Sequence, residues 1–315
     1  MKVYYLNNEN EKLDFSGFPL AIEEIEALFS KEWAVSLTGN SMKNRSKINS
    51  ICRTQYDKKV NIQCYADSGA EFRKLISELM DITEKDLLSK VPGKLYVDEY
   101  YLPCFIYQIT PGDYDELFYT VDNEARILSP YPFWIKEKSC KFYLNAEIKQ
   151  AEEEKQAINN GLTDAEITVD YPYDYPYGYV SRYIKHGTYP IYDYAFDYYK
   201  DHQIGRLNND GFSEAGFRMI VYGPCTKPSL YIGNNSYEVD TVLYDNEYLV
   251  IDSRERSVTK YRINGVTENL FNSRNKEKSV FQKIPSGMQY VKWNAQFSFD
   301  VTMYIERSEP VWNIS

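Results

Sequence analysis

Gln296-Phe297-Ser298-Phe299-Asp300-Val301-Thr302-Met303-Tyr304-Ile305 alternates strictly between apolar and polar positions. An extended chain sends successive side chains to opposite faces, so Phe297, Phe299, Val301, Met303 and Ile305 share one side and Gln296, Ser298, Asp300, Thr302 and Tyr304 the other. That period predicts a half-buried antiparallel strand. Upstream, Asn264-Gly265 lies between Val258-Thr259-Lys260-Tyr261-Arg262-Ile263 and Val266, which predicts a two-residue hairpin turn with positive φ. Asp245-Asn246 lies similarly between Val242-Leu243-Tyr244 and Tyr248-Leu249-Val250. Short strands with frequent turns from Gly216 onward predict a β-sandwich.

The first part of the chain has the same character with one helix added. In Val60-Asn61-Ile62-Gln63-Cys64 the Val, Ile and Cys share a strand face, which marks Cys64 as a packing residue. Ser68-Gly69-Ala70-Glu71 has capping-box spacing, and Phe72, Leu75, Ile76 and Leu79 follow at helical intervals, so residues 60–80 read as a strand and then a helix laid on a sheet. From Lys94 to Leu128 three antiparallel strands are expected, with reversals at Val97-Asp98-Glu99-Tyr100 and at Thr110-Pro111-Gly112-Asp113. Ser129-Pro130-Tyr131-Pro132-Phe133-Trp134 interrupts the ladder, because proline donates no backbone hydrogen bond, and a domain boundary is expected soon after.

The middle of the chain differs. Leu144–Ile158 has helical composition and stops at Asn159-Asn160-Gly161; its acidic run Glu152-Glu153-Glu154 reads as a solvated face. Residues 171–199 hold eleven of the 31 tyrosines, among them Tyr171-Pro172-Tyr173-Asp174-Tyr175-Pro176-Tyr177-Gly178-Tyr179. Tyr173, Tyr175, Tyr177, Tyr198 and Tyr199 form the candidate aromatic contact surface. Tyrosine has an apolar body and a polar tip, so such residues anchor subunit interfaces, fill a core or stack on sugar rings; the first two readings stand ahead of the third.

Composition bounds the chemistry. In 315 residues Lys+Arg number 36 against Asp+Glu 46, a net charge of −10, which disfavours sequence-independent binding to nucleic acid. No apolar run approaches the roughly 18 residues of a membrane span, and Met1–Asp14 does not resemble a secretory signal. Five cysteines (Cys52, Cys64, Cys104, Cys140, Cys225) without a C-x-x-C are expected as reduced, mostly buried thiols. Phosphate-loop, dinucleotide, nucleophile-elbow and zinc-protease motifs are all missing. His186 and His202 are the only histidines, so a His-rich metal site is excluded, and the carboxylates Asp170, Asp174, Asp193 and Asp197 amid tyrosines are the only hint of glycoside hydrolysis.

Several stretches together resemble the distal tail protein (Dit) family of phages infecting Gram-positive bacteria, also found in prophages and phage-tail-like particles. In the N-terminal half these are Val3-Tyr4-Tyr5-Leu6-Asn7, Ile51-Cys52-Arg53, the strand-helix unit ending Leu79-Met80-Asp81-Ile82, Lys94-Leu95-Tyr96-Val97 and Pro130-Tyr131-Pro132-Phe133-Trp134. The C-terminal half matches more specifically, through Phe217-Arg218-Met219-Ile220-Val221-Tyr222-Gly223-Pro224, Lys227-Pro228-Ser229-Leu230-Tyr231-Ile232-Gly233, Glu247-Tyr248-Leu249-Val250-Ile251-Asp252, Asn269-Leu270-Phe271-Asn272 and Ile284-Pro285-Ser286-Gly287. One departure is the tyrosine-rich stretch from about 165 to 212, longer than a minimal member needs.

The resemblance implies a mainly β (α+β) chain. Residues 1–142 would be an N-terminal β-sandwich with a packed helix that forms a ring, 143–215 a connecting helix and Tyr-rich segment, and 216–315 a C-terminal galectin-like β-sandwich. It implies a homo-hexamer joining the tail tube protein to the tail-tip hub or tail-associated protein, with no catalytic residue, metal or cofactor. A receptor-binding protein or a host saccharide is a further expected partner; a membrane is not, and DNA only passes through the lumen. The expected location is the virion tail tip, or the baseplate of a phage-like particle, after assembly in the host bacterial cytoplasm. From the acidic balance, carboxylates are expected to outnumber bases on the lumen wall. The alternative is a carbohydrate-binding module recognising cell-wall polysaccharide through Tyr173, Tyr175 and Tyr177, with a glycan hydrolase using Asp170 or Asp193 ranked last.

Overall fold

The computed structural model describes residues 1–29, 32–40, 45–143, 203–294 and 296–311. They fold into two compact units, Met1–Glu137 with Glu306–Ser315, and Lys138–Ile305. Both are built of antiparallel strands, so the mainly β expectation holds. The expected helix at Leu144–Ile158 and the tyrosine run of 171–199 lie outside the described residues.

The first unit contains β1 (Val3–Leu6), β2 (Lys12–Asp14), β3 (Ser16–Gly17), β4 (Leu20–Ile22), β5 (Trp33–Asn40), β6 (Arg45–Arg53) and β7 (Tyr56–Tyr65). Helix α1 (Gly69–Ser89) follows, then β8 (Gly93–Val97), β9 (Tyr100–Asp115), β10 (Thr120–Ser129) and the start of β11 (Trp134–Phe142). One sheet runs β2-β1-β8-β9 and a second β10-β7-β4-β3. The long β9 serves both: residues 100–104 pair with β8, while Phe105–Asp115 pair with β10. Val60, Ile62 and Cys64 of β7 all point into the core, as their spacing predicted.

Ser68 caps α1 as its sequence requires: it is extended (φ −152°, ψ 154°) and its hydroxyl accepts from Glu71 N–H at 3.3 Å. The helix runs nine residues past position 80. Ile82, Thr83 and Asp86 continue the buried stripe of Leu79, and Thr83 satisfies its hydroxyl on Leu79 O at 2.9 Å. An apolar-periodicity count stops before Asp86 because it scores a carboxylate as solvent-facing. Lys90, in the left-handed conformation at φ 57°, ends the helix.

The reversal at Val97–Tyr100 forms, with Asp98 at φ 51°. The one expected at Thr110–Asp113 does not: β9 continues to Asp115, and the chain turns at 116–119, where Tyr119 has φ 49°. Pro111 and Gly112 instead mark a register shift opposite Val121–Asn123. A Cβ at Gly112 would strike the carbonyl oxygen of Asp122, so the glycine serves a close approach between strands rather than a turn.

The second unit contains β12 (Gln203–Asn209), β13 (Gly216–Tyr222), β14 (Cys225–Thr226), β15 (Ser229–Ile232), β16 (Asn235–Glu238) and β17 (Val242–Leu243). After these come β18 (Tyr248–Asp252), β19 (Ser257–Tyr261), β20 (Thr267–Asn269), β21 (Gly287–Trp293) and β22 (Phe299–Arg307). A sheet ordered β20-β19-β18-β13-β22 faces a second ordered β12-β21-β15-β16 across one apolar core, which is the expected sandwich. Phe297, Phe299, Val301, Met303 and Ile305 are all buried in it. Phe299 stacks on Phe142 at 4.7 Å and meets Trp293 edge-on at 5.2 Å.

Two turns were read correctly in place but not in form. Around Asn264-Gly265 the loop holds three residues, closed by Arg262 N–H to Val266 O at 3.0 Å, with only Gly265 at positive φ (77°). The Tyr244–Glu247 turn exists, with Asn246 at φ 59°, but β17 pairs with β14 and β18 with β13 and β19, so the flanking strands do not form a hairpin.

An almost wholly buried ion pair, Lys260–Glu247 at 2.7 Å, ties this turn to β19. Lys260 also donates to Val242 O at 2.7 Å, and Glu247 accepts from Tyr244 N–H at 3.0 Å. The Lys260 ammonium, helped by that N–H, holds the Glu247 carboxyl below the ordinary carboxylate range. A depressed folded-state pKa stabilises fully above the unfolded value of about 4.3 and is lost as pH falls through the folded one. The second unit is therefore expected to lose melting temperature below about pH 4.3, and less steeply in Glu247→Gln. Parallel pH curves for the two proteins in calorimetry would refute the assignment.

Candidate functional site

Tyr173, Tyr175, Tyr177, Tyr198 and Tyr199 lie outside the described residues, as do His186, His202, Asp170, Asp174, Asp193 and Asp197. Several of the described tyrosines serve packing and pairing. Tyr4 stacks on Tyr96 at 4.6 Å and Tyr248 on Tyr261 at 4.7 Å, both directly opposite across strands. Buried Tyr56 and Tyr237 donate to Leu28 O and Gln282 O, each at 2.7 Å. Among the described residues no three His, Cys, Asp or Glu side chains gather as a metal site, and no helix is long and apolar enough to cross a membrane.

All five cysteines are free thiols. Four are buried, and burial pushes the Cys64 and Cys225 thiols up to about 11. That agrees with the expectation of mostly buried thiols; Cys52 is the exposed one, on β6, over which the described residues place no layer.

The feature that stands apart is the ribbon formed by β5 and β6, a two-stranded sheet whose outer edges are both unpaired among the described residues. Its register sets Trp33 opposite Arg53, Val35 opposite Ile51 and Leu37 opposite Ile48, with a bulge past Ser36. One face thus carries Trp33, Val35, Leu37, Ile48 and Ile51. The other carries Ala34, Ser36, Thr38, Lys47, Ser50 and Cys52. On the apolar face Val35, Leu37, Ile48 and Ile51 are 50–58% exposed. The base of the ribbon is anchored: Trp33 meets Phe133 edge-on at 6.4 Å, and Arg53 lies 5.8 Å over the same ring while donating to Ser308 O at 2.8 Å.

A lone two-stranded ribbon is marginal in water, and an uncovered apolar face with free edges is a template for another chain. Covering four half-exposed aliphatic side chains would contribute about 3–6 kcal/mol, at roughly 1.5–3 kcal/mol for each fully buried side chain. Sequence reasoning noticed only the end of β6, at Ile51-Cys52-Arg53. The alternation Trp33-x-Val35-x-Leu37 was the available signal, but alternation marks a strand face without saying whether anything covers it.

The described chain is a mainly β protein of two antiparallel units, the second a two-sheet sandwich, the first carrying one helix and an uncovered ribbon. Its particular fold is shared with the crystal structure of SPP1 Dit (gp 19.1), presented as a paradigm of the hub adsorption apparatus in phages infecting Gram-positive bacteria. The TM-score is 0.56 at 8% identity over 97% of this chain and 98% of that one. A chain of the phage P2 baseplate in its activated conformation with Ca gives 0.58 at 12% identity over 98% and 99%, and the form with Sr gives 0.57 at 12% over the same shares. No family model and no curated protein matches the sequence.

Proposed function

We propose that this chain is a structural, non-enzymatic component of a phage or phage-like tail tip. Six copies close into a ring between the tail tube protein and the tail-tip hub, the ring-forming part lying within residues 1–142. A sandwich within 216–315 is directed outward to receptor-binding parts, with 143–215 as the connecting segment. The chain works at the virion tail tip after assembly in the host bacterial cytoplasm. The observation that carries the reading is the free-edged, half-uncovered ribbon β5–β6 in a fold shared over nearly its full length with solved tail-hub and baseplate chains.

A ring needs one surface patch to meet a different patch on the next copy, and a ribbon with two unpaired edges supplies that geometry. Its apolar face turns toward neighbouring subunits and its hydroxyl-rich face toward the lumen. From Trp33 to Arg53 the sequence holds Lys43, Arg45, Lys47 and Arg53 and no carboxylate, so the ribbon makes its stretch of the lumen wall basic, against the acidic wall expected from net charge. The carboxylates that let DNA slide, by leaving phosphates few fixed cations, would then come from other segments of the wall.

Light scattering on a sizing column, over a concentration series, is expected to give a mass of six copies, and imaging of that species a closed ring. Rings of another order, or a monomer that does not join even a purified tube end, would overturn the proposal. The carbohydrate-binding alternative has its own readout: replacing Tyr173, Tyr175 and Tyr177 together by alanine would abolish retention on cell-wall polysaccharide. Unchanged retention would remove that surface from consideration.

A further inference from the structure

The second unit has a face of unusual chemistry. Strands β12, β15 and β21 contain no Asp or Glu in a chain where acids outnumber bases 46 to 36, and the fourth strand of the sheet, β16, adds one carboxylate, Glu238, opposite Ser229 at the edge. Leu207, Leu230, Ile232, Val291 and Trp293 of these strands are buried, so Arg206, Tyr231, Tyr290 and Lys292 project from the opposite side. The register places Tyr231 opposite Lys292 and Tyr290 opposite Arg206. Aromatic ring and cation therefore alternate both along and across the strands.

Tyr231 and Tyr290 are 46% and 56% exposed, and Lys292 is exposed. Lys278 extends the pattern, its ammonium 5.9 Å from the centre of the Tyr231 ring while donating to Asn234 O at 3.1 Å. Gly233, whose N–H donates to Tyr290 O at 2.8 Å, sets no side chain beside that tyrosine.

We propose that this face binds an anionic carbohydrate polymer, with Tyr231 and Tyr290 stacked on sugar rings and Lys292 and Lys278 paired with its phosphate or uronate groups. A tyrosine ring offers a flat apolar face to the C–H side of a saccharide and a hydroxyl to its oxygens. Cations set between the rings meet charges carried along the polymer. A protein partner fits less well, because lysine is depleted at the cores of protein interfaces and Lys292 lies amid the two rings. A single-stranded nucleic acid is the competing polyanion, meeting the same repulsion from a chain of net charge −10, and oligo(dT) in the titration decides against it.

The full chain is titrated calorimetrically with phosphomannan, polygalacturonate, neutral dextran and oligo(dT), at low and at physiological salt. Binding of phosphomannan, of polygalacturonate or of both is expected, weakening with salt and at least tenfold weaker in Tyr290→Ala and in Lys292→Ala. The first two arms separate a phosphate from a carboxylate source. Tyr244→Ala, outside this face, is expected to bind as the parent does, and unchanged melting temperatures show that the exposed substitutions keep the fold. Equal binding of dextran, tighter binding of oligo(dT), no binding at all, or full affinity in both face variants would each overturn the proposal. None of these outcomes depends on ring closure, so failure here leaves the mass measurement to decide that separately.

Discussion

Replacing Leu37 and Ile48 together by aspartate is expected to leave a folded monomer that no longer closes into a ring. The two side chains sit opposite each other on the apolar face of β5–β6, 58% and 55% exposed in the single chain. A charge there meets water in the monomer and changes its stability little. In the ring the same positions would be covered, and each subunit contact would lose about 1.5–3 kcal/mol of apolar burial, before the further penalty of desolvating two carboxylates. A loss of that size lowers the affinity of each contact at least about tenfold. Sedimentation velocity reads the shift from ring to monomer directly, and Ser36→Asp with Ser50→Asp on the polar face is the control that keeps assembling. Intact rings from the Leu37/Ile48 variant would show that the subunit seam lies elsewhere.

The second large effect is expected at Asp86, a fully buried carboxylate on α1. It accepts from the Tyr5 hydroxyl at 2.5 Å and from Asn8 N–H at 2.8 Å, pinning the helix to β1 and the turn that follows. Its substitution by leucine keeps a similar volume but leaves Asn8 N–H without its acceptor and Tyr5 with only a 3.3 Å contact to Cys104 O. One buried donor abandoned at about 1–3 kcal/mol, with a part-buried one adding less, gives a loss of about 1–4 kcal/mol. For a unit of this size each kcal/mol lowers the melting temperature by about 2–4 °C, so calorimetry resolves the change easily. Gly93→Ala tests the same contact from the other side, because its Cβ would fall on the Tyr5 hydroxyl and the Asp86 carboxylate. The two substitutions disrupt one interaction and should combine to less than their sum. A loss below about 1 kcal/mol in Asp86→Leu would show that the pair does not hold the helix.

Both predictions concern residues that the sequence describes only in part. The alternation of Phe297–Ile305, the cap at Ser68 and the shared face of Val60, Ile62 and Cys64 were legible because each is a local periodicity or a local hydrogen bond. Those features settled the mainly β class, the helix start and the second sandwich. Pro111-Gly112 was misread as a reversal because the same two residues suit a turn and a bulge, and only the carbonyl of Asp122 on the partner strand distinguishes them. Asp86 escaped notice because a buried carboxylate is defined by its distant partners, 78 and 81 positions away in sequence.

The sequence by itself therefore determined the elements: which stretches extend, where the helix begins, and which side of each strand is apolar, since these follow from chemistry within a few residues. Only the tertiary structure decided which apolar faces are covered and which chemistries meet on one surface. Val35 and Leu37 carry the same pattern as Phe299 and Val301, yet one pair lies open and the other is buried, because burial depends on what the rest of the chain packs above a strand. The cation and tyrosine face of β12, β15 and β21 is likewise assembled from positions up to 86 apart, Arg206 to Tyr290 to Tyr231 to Lys292, by strand pairing that local sequence does not encode.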